Sequence, residues 1–257
     1  MNFPFRLGTT SYIYPDDILP NVRQLAGVVQ DVELVLFETD DDRANLPAPP
    51  RVAELNALAR DHDLTFTVHL PLDLKFDDAR SFEKIFRARE ATRALEPYAY
   101  ILHLDGRALQ ADPTPARVRA WQAKMNVALD KILMRVEPQQ LCIENLETWS
   151  PEYFAELVAD RDLARCVDIG HFWKQARDPL PHLQEHLART RVIHLHGVGE
   201  RDHQSLVRQP RAQVQRALEF LRGADYRGVL TLEVFNLDDF LSSRKVLEEL
   251  WSSDSRS

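Results

Sequence analysis

Several short apolar runs in this 257-residue chain end in a residue that can bind a metal or move a proton. The run CVDIGHFW, Cys166 to Trp173, places Asp168 at a strand end and His171 three residues later, beyond a turn at Gly170. Other runs finish the same way: TFTVH at His69, YILH at His103, LCIE at Glu144, VIH at His194 and LTLE at Glu233. A strand end gives a ligand a rigid base and an open face. Acidic and imidazole groups at recurrent strand ends mark the catalytic face of a barrel.

Of the nine histidines, His62, His182 and His186 fall in polar helical stretches and are expected at the surface. The other six, His69, His103, His171, His194, His196 and His203, stand at or just past strand ends. Gathering them with Glu144, Asp168 and Glu233 at one barrel mouth would be electrostatically costly without a bound cation. Imidazole mixed with carboxylate suits zinc, iron, manganese or cobalt better than calcium. The candidate ligands are His69, His103, Glu144, Asp168, His171, His194, Asp202, His203 and Glu233. At roughly four to six ligands per ion, they imply about two or three divalent transition-metal ions, with Glu144 and Glu233 as the natural bridges. Such a cluster can activate a water and hold the oxygens of a phosphodiester. Glu144 would orient that water, Glu233 would be the alternative bridge, and Arg201 would offset phosphate charge. The alternative chemistry is a sugar isomerase or epimerase. It needs one metal to polarise a carbonyl, while Glu144 and Glu233 exchange a carbon-bound proton.

These residues must be positioned by alternating strands and helices. Hydrophobic spacing predicts strands over 7–12, 31–38, 65–69, 98–104, 141–146, 166–169, 192–195 and 228–235. Helices are expected over 21–30, 50–62, 81–95, 115–136, from 151, over 173–190 with prolines interrupting, over 211–221 and over 239–251. Thr114-Pro115 and Ser150-Pro151 read as cap-and-proline helix starts. Eight strands alternating with eight helices predict an α/β fold, a single (β/α)₈ TIM barrel over 1–251 with a flexible tail over 252–257.

A hydrophobic content of 44% can bury one substantial core. The net charge of −8 disfavours nonspecific nucleic-acid or membrane binding. Cys142 and Cys166 lie in apolar strands and read as small buried fillers rather than a disulfide framework. With no spanning apolar segment or cleavable signal, a cytoplasmic protein is expected.

The order H69…H103…E144-N145…D168-x-x-H171…H194-L-H…D202-H203…E233 resembles the xylose-isomerase-like barrel superfamily that includes endonuclease IV, over nearly the whole chain. The resemblance implies a core quartet of Glu144, Asp168, His194 and Glu233. Its endonuclease branch implies further ligands at His69, His103, His171 and His203, plus an aspartate. The run Glu200-Arg201-Asp202-His203 departs from that branch's Asp-Arg-His triplet, leaving Asp202 or Glu200 as the carboxylate. The opening LGTTSYIYPDDILPNVRQLAGVVQDVELVLFE and the segment HLHGVGERDHQSL resemble the cobamide-remodelling phosphodiesterase branch. That likeness implies hydrolysis of a cobamide's nucleotide-loop phosphodiester to cobinamide phosphate and an α-ribonucleoside. A large, flat corrinoid substrate would need a wide rim, for which Tyr12, Tyr14, Glu38, Leu70, Leu72, Phe172, Trp173 and His196 are the candidates. An abasic-site endonuclease ranks third, because the acidic chain offers little surface for a duplex.

Overall fold

The structure, a computed structural model, describes residues 3–39, 41, 43–71 and 78–253. Among these, eight parallel strands close a barrel in chain order. They are β1 Arg6–Thr10, β2 Asp31–Val35, β3 Thr65–His69, β4 Ala99–Leu102, β5 Leu141–Glu144, β6 Ala164–Asp168, β7 Thr190–Leu195 and β8 Val229–Leu232. Pairing of β8 with β1, Leu230 opposite Leu7, completes the closure. The helices around it are α1 Ile18–Leu25, α2 Pro49–His62, α3 Ala79–Thr92, α4 Pro115–Leu133, α5 Ala155–Asp160, α6 Ile169–Lys174, α7 Leu180–His186, α8 Arg211–Gly223 and α9 Leu237–Ser253. The architecture is the single (β/α)₈ barrel that the alternation of elements predicts. Among the described residues, no helix is long and apolar enough to cross a membrane.

The two-residue period of a strand sorts its side chains between two cores. Val32, Leu34, Val68, Leu102, Ile143, Val167, Ile193 and Leu232 join the helices' apolar faces in the main core. Ala99, Ile101, Cys142, Ala164, Cys166, Val192 and Val229 form a separate cluster that fills the barrel. One period further along the inward parity, Ile101 leads to His103, Cys142 to Glu144, Cys166 to Asp168 and Val192 to His194. Val229 leads through Thr231 to Glu233. Both cysteines are free and buried, as fillers should be.

Local chemistry moves several element ends. Thr114 caps α4 by accepting from the Arg117 amide, as the Thr-Pro start predicts. Ser150-Pro151 opens only a 3₁₀ turn, Pro151–Phe154, before α5. The helix expected over 173–190 is two helices, and the first begins at Ile169 because the Asp168 carboxylate caps the His171 amide at 2.7 Å. Gly170 therefore lies inside α6 rather than at a turn. A Cβ there would come within 2.2 Å of the His196 ring, so the glycine is required by close approach. α1 runs over Ile18–Leu25 rather than 21–30, since the Asn21 amide is buried and donates to the carbonyls of Tyr14, Asp16 and Asp17. Strand β2 stops at Val35, three residues early, where Asn45 takes over the backbone by accepting from the Phe37 amide and donating to the Val35 carbonyl.

Candidate metal centre

The C-terminal ends of β5, β6, β7 and the residue after β8 bring Glu144, Asp168, His194 and Glu233 together, with ligand atoms within 4.8 Å of one another. His194 stands at the middle. Its Nδ1 lies 3.1 Å from Glu233 Oε2, 3.4 Å from Glu144 Oε1 and 3.9 Å from Asp168 Oδ2. Its Nε2 lies 2.8 Å from Glu33 Oε2 on β2. A carboxylate only accepts, so Nε2 carries a hydrogen, and in the neutral ring Nδ1 would turn a lone pair towards three carboxylates. His194 Nδ1 and Glu233 Oε2 are buried without a hydrogen-bond partner. His69 repeats the pattern: Nδ1–H donates to the Leu70 carbonyl at 2.9 Å, leaving Nε2 to face Glu144 Oε2 at 3.3 Å.

Three carboxylates within 4.8 Å would repel one another by roughly 3 kcal/mol per pair at an effective dielectric of about 20. Positive charge must answer them. Burial alone would push the Glu144 carboxyl up, but the His103 and His194 imidazoles hold it well below the usual range. Glu233 behaves likewise beside His194 and His203. In turn, burial would lower the histidines, whereas the carboxylates push His69 to about 9 and His203 to about 10. A proton on each imidazole and a divalent cation between them are interchangeable answers to the same field. The orphaned His194 Nδ1 and Glu233 Oε2 converge on one point and fit the second. The mixed imidazole and carboxylate clusters fit one or more divalent metal ions.

Two further groups share residues with this quartet. His69 and His103 meet on Glu144 Oε2, at 3.3 and 2.9 Å. His171, His196 and His203 gather with Asp168. His203 sits at φ 53°, a left-handed backbone, and points Nε2 to within 3.2 Å of Glu233. The loop that carries it is pinched by paired backbone bonds between Gly197 and Gln204, at 2.7 and 3.0 Å. A Cβ at Gly197 would meet the Ser205 carbonyl at 2.0 Å, so only glycine fits the pinch. Cys166 belongs to a group with Glu144 and His194, but burial holds its thiol well above its ordinary range and leaves it neutral.

All nine ligand candidates from the sequence converge on this mouth. Asp202 is engaged by Lys174 and His203, which hold its carboxyl down at about 2 against burial. The cavity above, about 540 Å³, is lined by His69, His103, Glu144, His171, His203 and Glu233 together with Trp149 and Phe235. None of the described rim candidates lines it. His196 is fully buried behind Asp168, bonding its carboxylate at 3.2 Å. Phe172 is buried against His182. Leu70 is buried, and Glu38 pairs with Arg87. Tyr12 accepts from Asn45, and Tyr14 packs on the main core. Trp173 borders a separate flank cavity of about 520 Å³ beside Arg208 and Pro210. Leu72 lies outside the described residues. Arg201 is exposed and off the cavity wall. His182 is half-buried rather than superficial, and burial beside His186 lowers it to about 3.

Sequence reading passed over Glu33, Glu147, Trp149, Lys174 and Phe235. Glu33 carries a usable signal: it is a charged residue flanked by Val32 and Leu34 within a strand, at the inward parity. Trp149 carries one in its neighbour. A Cβ at Gly106 would strike the indole at 2.6 Å, so the bare backbone lets the ring lie flat on it.

Residues 26–251 match the model of the xylose isomerase-like TIM barrel family. No curated protein matches the chain. Among solved structures, a D-tagatose 3-epimerase-like protein is similar with TM-score 0.77 and 20% identity, over 98% of this chain and 99% of its own. A 3-keto-D-glucoside 4-epimerase from E. coli gives TM-score 0.70 and 15% identity over 96% and 99%. A D-allulose 3-epimerase from Methylomonas sp., in complex with D-allulose, gives 0.64 and 13% over 96% of both chains. At such identities the likeness carries the fold, while the activities are those of the similar proteins. It nevertheless overturns the expected cobamide phosphodiesterase and corrinoid substrate, since these whole-chain matches are two sugar epimerases and an epimerase-like protein. The opening run and the seventh-loop segment do not select a phosphodiester hydrolase. What the matched residues establish is that the chain belongs to the xylose isomerase-like TIM barrel family.

Proposed function

We propose that the protein is a divalent-metal-dependent sugar isomerase or epimerase that moves a proton at a carbon beside a carbonyl. The observation that carries this reading is the quartet itself: Glu144 and Glu233 flank an orphaned His194 Nδ1, at 3.4 and 3.1 Å. In this reading one ion is held by Glu144, Asp168, His194 and Glu233, which narrows the two or three expected from the count of ligands. Zinc, iron and manganese all suit the donors. When bound, the ion would polarise a substrate carbonyl and so acidify the adjacent C–H bond.

The chain's own residues do the rest. One of Glu144 and Glu233 removes the proton from carbon, and the other returns a proton to the opposite face or to the neighbouring carbon. His103, at 2.9 Å from Glu144 Oε2, holds that carboxylate in place and can share its proton. His203 Nε2 stands 3.2 Å from Glu233 Oε2 and, when protonated, balances its charge without a directed hydrogen bond. Trp149 and Phe235 give the cavity an apolar wall suited to the C–H face of a sugar ring, and its volume of about 540 Å³ suits a small molecule. The test is incubation of manganese-loaded protein with a panel of ketoses and keto-glycosides in D₂O. Solvent deuterium should appear at a single carbon with formation of an epimer or isomer. No deuterium incorporation with any of these sugars, at confirmed metal occupancy, would sink the reading.

A further inference from the structure

A further group of donors lies on the outer side of the mouth. Glu147, His171 and Asp202 bring ligand atoms within 4.8 Å of one another. His171 donates Nδ1–H to the Asn145 carbonyl at 2.9 Å, so its Nε2, 3.6 Å from Glu147 Oε2, offers a lone pair. Taken alone, two carboxylates and one imidazole would suit a further transition ion. They are not alone. The Lys174 ammonium lies 3.1 Å from Glu147 Oε1 and 2.5 Å from Asp202 Oδ2. Asp202 Oδ1 is meanwhile 3.2 Å from His203 Nδ1. Lys174 follows His171 by three residues on α6, so one helix face presents both the imidazole and the ammonium. A divalent ion brought between the same carboxylates would meet a fixed positive charge a few ångströms away and be repelled by it.

We propose that Lys174 is a built-in cation that takes the place of a metal ion at the Glu147–His171–Asp202 group, keeping metal loading out of that group. The ammonium also ties the loop after β5, through Glu147, to the loop after β7, through Asp202. The inference rests on the single-ion reading of the quartet given above.

The experiment measures stoichiometry rather than turnover. Wild-type protein, Lys174→Met, Lys174→Arg and Asp202→Asn are stripped, reloaded with Mn²⁺ or Zn²⁺, and assayed by elemental analysis and titration calorimetry. Wild type, Lys174→Arg and Asp202→Asn should each bind one equivalent. Lys174→Met should bind two, and the added Asp202→Asn change should return it to one. A Lys174→Met protein that is folded by circular dichroism and still binds one equivalent overturns the inference. So does a second equivalent in wild type that Asp202→Asn removes, an arm that holds even if Lys174→Met does not fold. Absence of sugar turnover in wild type with one equivalent bound would instead sink the isomerase reading and leave this count intact.

Discussion

Asp31 and Glu33 stand two residues apart on β2, both fully buried and both inside the barrel, yet their surroundings answer the charge in opposite ways. In the lower layer, Asp31 accepts from the Thr65 and Thr67 hydroxyls at 2.7 and 2.9 Å. Burial outweighs those bonds and pushes its carboxyl up to about 7. The cluster that fills the barrel below the mouth is small and apolar, Ala99, Cys142, Val192 and Val229 among its members. In the upper layer Glu33 meets the His194 imidazole, which borders three further carboxylates. The lower layer tolerates an acid by favouring its neutral form, whereas the upper layer holds Glu144 and Glu233 charged beside the His103, His194 and His203 imidazoles. The difference shows where the barrel is packing and where it is chemistry.

Substitutions at four positions test that contrast. The largest effect is expected at Glu144. Glu144→Gln keeps the size but removes the charge, and turnover of the sugar found to exchange deuterium should fall roughly 10²- to 10⁴-fold. Near-normal turnover with metal content unchanged would move the proton transfer to another residue. Next comes Glu33, which fixes the tautomer of His194. Glu33→Ala should weaken metal affinity about 10- to 100-fold in calorimetry. Glu33→Gln should recover part of it, because its carbonyl still accepts from Nε2–H. Unchanged affinity in both would mean that the upper layer does not depend on this contact.

The lower layer should reveal itself in stability rather than activity. The folded-state carboxyl of Asp31 lies near 7 against an ordinary 3.8, so the folded state binds the proton more tightly. Its contribution is fully present below about pH 4 and is lost as pH rises through about 7, by up to about 4 kcal/mol. Asp31→Asn should therefore lack that loss when urea unfolding is compared at pH 4.5 and 7.5. An identical pH dependence in both proteins would place the titration elsewhere. The smallest effect belongs to Arg201. Exposed and off the cavity wall, Arg201→Ala should change turnover by no more than about twofold, the scale of an ordinary surface change of ~0.5 kcal/mol. A loss of a hundredfold would bring the arginine back into the site.

The sequence by itself determined the barrel, the inward parity of His69, His103, Glu144, Asp168 and His194, and the metal-binding character of their mouth. These follow from local rules: the two-residue period of a strand, and caps such as Thr114 acting within a turn. The same locality misplaced the start of α6, where Asp168 caps the helix as well as joining the quartet. It could not reveal the partner of His194, because Glu33 lies 161 residues away and meets it only once the barrel is closed. Nor could it separate Trp149 and Phe235, which line the cavity, from Tyr12, Phe172 and Trp173, which do not. Loop aromatics look alike in sequence, and only the path of the backbone, such as bare Gly106 beneath Trp149, decides which way they face. The reaction was the least legible feature of all. Imidazole and carboxylate around a metal serve hydrolysis and proton transfer equally well, so the proposed choice rests on how the folded chain sets Glu144 and Glu233 on either side of His194 Nδ1, which strand ends alone do not show.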